Sequence, residues 1–127
     1  MAAPVFNWDE YLRLANQLAT NADEASQRSS ISRTYYCVYH KASERAVAAG
    51  YVDQKSHFKL WDVYSRNNAD RSCRKLNSIG TRMKKEREEA DYNAAAPRIT
   101  DRMTVQLSRA NKFLLVLSTL GPGLPHP

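Results

Sequence analysis

From Tyr11 to Leu117 the apolar side chains of this chain recur three and four residues apart, and no segment longer than a few residues alternates with period two. Three-and-four spacing is the period of a helix with one buried face, whereas strands need alternation. β-branched residues are thin throughout, so the spacing predicts an all-α bundle of four long helices and one short one. The 127 residues give room for one core. The sequence predicts a single domain over 1–120 and a flexible tail over 121–127, where three prolines and two glycines fall in seven residues.

The elements follow from their punctuation. Asn7 and Glu10 have capping-box spacing, with Phe6 and Tyr11 as a hydrophobic staple across it, so a first helix is expected from Trp8 with Tyr11, Leu14 or Ala15, Leu18 and Ala22 inward. Asp23 to Ser30 is expected to turn. A second helix is expected over Ser30 to Ala49, with Ile31, Tyr35, Val38, Ala42, Ala46 and Ala49 inward and Gly50 in the left-handed position after its end. A short helix over His57 to Arg66 would carry Phe58, Trp61 and Tyr64, and a fourth, over Arg71 to Ala90, would bury Cys73, Leu76, Gly80, Met83 and Ala90. Asp91 to Pro97 reads as a loop, because Pro97 disfavours helix in the residue before it. Thr100 or Asp101 would cap a last helix carrying Met103, Leu107, Ala110, Leu114 and Leu117 and ending at Gly121.

Composition removes several function classes. Gly50, Gly80, Gly121 and Gly123 are the only glycines, too scattered for a phosphate-cradling loop. Residues 1–6 have neither the basic stretch nor the apolar run of a secretory leader, and the apolar run 113–117 is far too short to span a bilayer. The expectation is a cytoplasmic protein with no membrane contact whose Cys37 and Cys73 remain reduced thiols. His57 has no acidic or cysteine partner at ligand spacing, so neither a metal nor another cofactor is expected.

Beside the inward stripe of the second helix runs a polar one: Arg33, Tyr36, His40 and Glu44. Arg33 and His40 are seven residues apart, about 20° short of two turns, with a rise of roughly 10 Å. The two side chains share a face. A guanidinium can hold a phosphate and balance charge gained in a transition state, and an imidazole can move a proton near neutral pH. Two copies of such a pair, meeting across a symmetric dimer, would make a full phosphodiester site. A solvated or ion-paired Arg33 and a hydrogen-bonded surface His40 satisfy the same spacing.

The surrounding string, Ser32-Arg33-Thr34-Tyr35-Tyr36-Cys37-Val38-Tyr39-His40-Lys41-Ala42, resembles the signature helix of the HEPN family (higher eukaryotes and prokaryotes nucleotide-binding domains). Downstream, Arg87, two residues, then Ala90-Asp91-Tyr92 is similar to the segment that closes the family's fourth helix. The resemblance covers residues 8–120. It implies a dimerising helical domain that, in the catalytic branch, cuts RNA without a metal, with Arg33 and His40 on that branch's Arg and His positions. The 2′-hydroxyl would attack, leaving a cyclic phosphate and a 5′-hydroxyl. It further implies a toxin paired with a small nucleotidyltransferase-type antitoxin. Ala42 stands where some toxin members carry a tyrosine that the partner modifies, so silencing at that position is not implied. Non-catalytic members imply the alternative, an interaction module for a nucleotidyltransferase partner or nucleic acid.

The positive charge is also concentrated. Between Arg71 and Arg87 seven cations face Glu86 alone, a net of +6, equal to the formal charge of the whole chain, although Glu88, Glu89 and Asp91 reduce it at once. RNA backbone contact would account for such a run, with Arg82, Lys84, Lys85 and Arg87 as the expected cations and Tyr36 or Tyr92 stacking on an unpaired base. An ordinary solvated helix face has the same composition. Asp91 and Tyr92 are expected to support the site or to fix the helix-to-loop junction.

Overall fold

The computed structural model describes residues 5–120 and contains five helices and no strand among them: α1 (Asp9–Leu18), α2 (Glu24–Ala48), α3 (His57–Arg66), α4 (Arg71–Tyr92) and α5 (Ile99–Thr119). The protein is an all-α bundle of the expected order. The expectations for the tail and for a helix end at Gly121 lie outside the described residues.

α2 is the central element, in contact with the other four helices. Its start corrects the sequence expectation. The Asp23 carboxylate accepts from the Ser26 amide at 2.9 Å and caps the helix, so residues 24–29 are helical where a turn was expected. The bond holds the Asp23 carboxyl below its ordinary range. The early start has a purpose. Arg28, ion-paired to Glu24 at 2.9 Å, donates to the carbonyls of Ala90, Asn93 and Ala94 at 3.0, 2.7 and 3.2 Å. These are carbonyls at and just beyond the end of α4, where a helix lacks partners of its own and favours positive charge. At the far end Gly50 takes φ 102°, as expected.

Ser56 and Asp70 cap α3 and α4 by accepting from Lys59 N and Cys73 N at 3.1 and 2.9 Å. α5 starts earlier than expected and without a side-chain cap: Arg98 precedes it at φ 58°, and Asp101 ion-pairs with Arg98 at 3.5 Å instead. α4 runs two residues further than expected, so Asp91 and Tyr92 are its last turn and not a loop. In α1, Asn7 Oδ1 accepts from Asp9 N at 3.0 Å, one position before the expected pattern, while the Phe6 and Tyr11 rings do meet, with centroids 5.5 Å apart. Ala15 is the buried residue of α1, and Leu14 is exposed.

The main core joins Tyr35, Val38 and Ala42 of α2 to Leu60, Trp61 and Tyr64 of α3, Leu76 and Met83 of α4, and Phe113 of α5. A smaller cluster of Ile31, Ala90, Ala96, Ile99 and Met103 closes the α4–α5 loop end. Phe58, expected inward, is 76% exposed, and α3 buries Leu60 and Val63 beside Trp61 and Tyr64. Gly80 lies directly under the Trp61 ring: a Cβ there would meet three of its carbons. Both cysteines are free and buried, and burial pushes each thiol up to about 11. No described helix is long and apolar enough to cross a membrane.

Candidate functional site

Arg33, Tyr36 and His40 are half-buried along the edge of α2, beside its fully buried stripe. The start of α1 lies across them. The Arg33 guanidinium sits 5.0 Å from the centre of the Tyr11 ring, and the His40 ring is stacked on Trp8 at 3.5 Å with 8° between the planes. Trp8 and Tyr11 touch edge to face at 5.2 Å, so one aromatic group spans both residues of the pair. Among the described residues Arg33 has no acidic partner, and its charge is held by a ring face alone.

His40 opens onto a cleft of about 400 Å³ lined also by Ser43, Glu44, Val47, Ala48 and Asp53. Burial pushes the imidazole below its ordinary value, and Asp53 opposes that shift. A histidine so placed is neutral at pH 7 and free to accept a proton. Stacking covers a face of the ring, whereas both nitrogens bond through its edge, so Trp8 orients the imidazole without occupying its chemistry.

Arg87 comes to the same side of the bundle from α4. Cys73, Leu76, Gly80, Met83, Arg87 and Ala90 form its buried stripe, and Arg87 is the charged member, only 7% exposed. Its guanidinium lies over three rings, 5.6 Å from Tyr35, 5.5 Å from Tyr36 and 5.9 Å from Tyr92. Asp91 pairs with it at 3.8 Å and accepts from Ser32 Oγ at 3.1 Å. Arg87 Nε has no hydrogen-bond partner, and the residue borders a shallow hollow of about 530 Å³ with Glu88, Glu89, Tyr92 and Asn93. Tyr92 itself is 79% exposed.

His57, set aside on sequence grounds, belongs to this cluster. Its Nδ1 is 2.7 Å from Tyr35 Oη, which in turn accepts from Trp61 Nε1 at 3.1 Å. The phenol oxygen that accepts from the indole bonds Nδ1 as donor or as acceptor according to the histidine's tautomer. The ring stacks on Tyr39 at 4.2 Å and meets Tyr36 at 5.9 Å. Those same tyrosines meet His40 at 5.1 and 6.2 Å, which puts both histidines around one aromatic pair. Burial pushes the His57 imidazole down, the positive charges of Arg87, Lys84 and His40 add to that, and Glu88 opposes it.

Of the residues singled out from the sequence, the structure gathers Tyr36, His40, Arg87, Asp91 and Tyr92 around these rings and sets Arg33 beside them on Tyr11. Lys84, paired with Glu88 at 3.1 Å, and Lys85 border a neighbouring hollow under Phe58 and Trp61. Arg82 lies elsewhere, between α4 and α5. Sequence reasoning missed Ser32, Tyr35 and His57. Ser32 stood inside the string already singled out. The burial of Arg87 was legible, because 87 continues the 73, 76, 80, 83 stripe to 90. His57 carried no local signal, since its partner is 22 residues away on another helix. No protein-family model, curated protein or solved structure matches this chain.

Proposed function

We propose that the protein is a metal-independent endoribonuclease of the HEPN type, acting as a homodimer and serving as the toxin of a toxin–antitoxin or defence module in the cytoplasm. One observation carries this reading. The two strings that resemble the family, far apart in sequence, are in contact in space, through Ser32 and Asp91 at 3.1 Å and through Arg87 over Tyr35 and Tyr36. Contact between them is what a shared site requires.

In this reading Arg33 holds the scissile phosphate and balances its growing charge, and neutral His40 takes the proton of the ribose 2′-hydroxyl. The bond from O2′ to phosphorus forms, the bond from phosphorus to O5′ breaks, and the leaving oxygen takes a proton from the site of the second copy. The products are a 2′,3′-cyclic phosphate and a 5′-hydroxyl end. Arg87, Asp91 and Tyr36 hold the face of α2 on which the pair stands. A small nucleotidyltransferase-type antitoxin is the proposed partner, and a neighbouring reading frame of that kind would support the pairing.

The test is RNA cleavage in the presence of a chelator, with analysis of the end groups. His40→Ala and Arg33→Ala should each lower the rate at least about hundredfold. Undiminished cleavage by both folded variants would sink the site. A non-catalytic module that binds nucleic acid is the second reading, favoured by cations without ion-pair partners that line a hollow sharing no residue with the His40 cleft. It predicts binding without chain scission, unaffected by His40→Ala.

A further inference from the structure

The cations of α4 divide between two sides of the helix. Lys75 and Lys84 are nine residues apart, half a turn out of phase at about 100° per residue. Lys84 faces α3, where Glu88 neutralises it at 3.1 Å. Lys75 and Arg82 face α5, where Arg109 and Lys112 meet them across a groove of about 260 Å³ completed by Ser78 and Ile79. None of these four cations has an ion-pair partner among the described residues, and no carboxylate lines the groove.

At its other end the seam holds paired charges, in a hollow that Arg109 also borders. Toward the α4–α5 loop Glu86 pairs with Arg102 at 3.6 Å and Asp101 with Arg98 at 3.5 Å. Acidic side chains are thus available to this seam and are confined to one half. From residue 71 to 85 and from 102 to 120 the two helices hold no Asp or Glu at all. Four like charges around one groove repel one another and lower stability, and the partner that removes the repulsion is a polyanion with closely repeating charges. Ile79 gives the floor an apolar patch, and Ser78 a hydroxyl donor for a phosphate oxygen.

From this we infer that the groove between α4 and α5, with Lys75, Arg82, Arg109 and Lys112, binds the phosphodiester backbone of RNA. The groove rests on its charge, and the choice of RNA rests on the reading above. It shares no lining residue with the His40 cleft, so it anchors a flank of the bound strand and sets affinity, while the α2 face acts on the bond.

The probe is a fluorescent 2′-O-methyl oligouridylate of about 20 nucleotides, which a 2′-hydroxyl-dependent nuclease cannot cut. Binding to the full chain is followed by anisotropy from about 50 to about 300 mM salt. Arg82→Gln with Arg109→Gln should weaken binding at least about tenfold. It should also make the dependence of log K on log salt shallower by about 1.4, two contacts at about 0.7 each on a single strand. Lys75→Gln with Lys112→Gln should act the same way, and Lys84→Gln, which removes a cation already paired with Glu88, should change affinity less than about threefold. Wild-type binding by the folded groove variants overturns the inference. So does a wild-type chain that ignores the oligonucleotide, that prefers anionic lipid vesicles, or whose groove variants change only its sedimentation. The two readings fail separately. Absence of scission on unmodified RNA with the groove effect intact removes the nuclease and leaves the groove. Scission with unchanged KM in the groove variants does the reverse.

Discussion

The two sides of α4 carry similar residues in sequence and do opposite things in space. Toward α2 and α3, Arg87 is buried over three tyrosine rings and paired with Asp91, Lys84 is paired with Glu88, and Tyr35 is hydrogen-bonded to both Trp61 and His57. Toward α5, Lys75 and Arg82 join Arg109 and Lys112 around a groove that no carboxylate lines. On the first side Arg87 and Lys84 are held in fixed places by their partners. The second leaves charges unsatisfied and therefore available. A cation run read along a helix is not one surface, and neutralisation tells a positioning role from a docking one.

The largest effect should come from the close approach of Gly80 to Trp61 on that first side. Gly80 lets α4 pass under Trp61, which is 3% exposed and fixed between Tyr35 and Phe113. Gly80→Ala adds helix propensity but forces the ring to move, at a net cost of about 2–3 kcal/mol. Thermal unfolding should shift down by about 10 °C. Because Trp61 donates to Tyr35, the His57 ring resonances should shift as well. Below the lowered transition, RNA affinity at the groove should be unchanged. Unaltered stability would mean the Trp61 ring is loosely held, and the contrast between a fixed side and an open one would weaken.

Tyr35→Phe removes the hydroxyl alone and leaves the buried indole N–H of Trp61 and Nδ1 of His57 without their shared partner. A cost of about 1–2 kcal/mol is expected by denaturant unfolding, since an orphaned donor loses its solvation in full. Arg87 separates structure from chemistry more finely. Arg87→Met continues an apolar stripe and frees Asp91, which is partly exposed and still bonded to Ser32. Stability should stay within about 1 kcal/mol, because replacing a buried ion by a well-packed apolar chain is often neutral. RNA cleavage should nonetheless fall, as the tyrosines beside His40 lose the cation that holds them. Normal cleavage by Arg87→Met would reduce the residue to a packing element.

Which parts were legible follows from how far each signal reaches along the chain. The inward stripes of α2 and α4 were plain, because helical periodicity is local and a buried face repeats it. The start of α2 was not: Asp23, Ser26 and Ser29 all suit turns and caps, and the choice of Asp23 is reinforced by Arg28, whose carbonyl partners lie 62 to 66 residues away. Arg33 and His40 were legible as a pair through their spacing, but the cover of Trp8 and Tyr11 over them depends on how α1 docks. Phe58 was misread because a three-residue step falls about 60° short of a turn, and at about 100° per residue Phe58 lies well round the helix from the face that Leu60, Trp61, Val63 and Tyr64 bury. Arg109 and Lys112 looked unremarkable on α5 until the fold set them opposite Lys75 and Arg82.

The smallest effect, and the one that distinguishes the two sides without disturbing either, is their response to pH. Burial lowers the imidazoles of both His40 and His57 in the folded protein. Unfolding returns them to an ordinary value near 6.5, so between that value and the lower folded one the unfolded chain binds more protons. Stability from these groups is therefore complete above about pH 6.5 and is lost as pH falls below it. Around His57, Arg87 and Lys84 reinforce this and Glu88 opposes it; around His40, Asp53 opposes it. Melting temperature should decline from pH 7 to pH 5, and His57→Gln, whose amide can still bond Tyr35 as donor or acceptor, should flatten that decline. The acid limb of any cleavage profile should lie below the ordinary histidine range. No histidine or carboxylate lines the groove, so RNA affinity there should be flat over the same interval. A decline in melting temperature that survives His57→Gln and His40→Gln together would place the titrating group elsewhere and remove both histidines from the account.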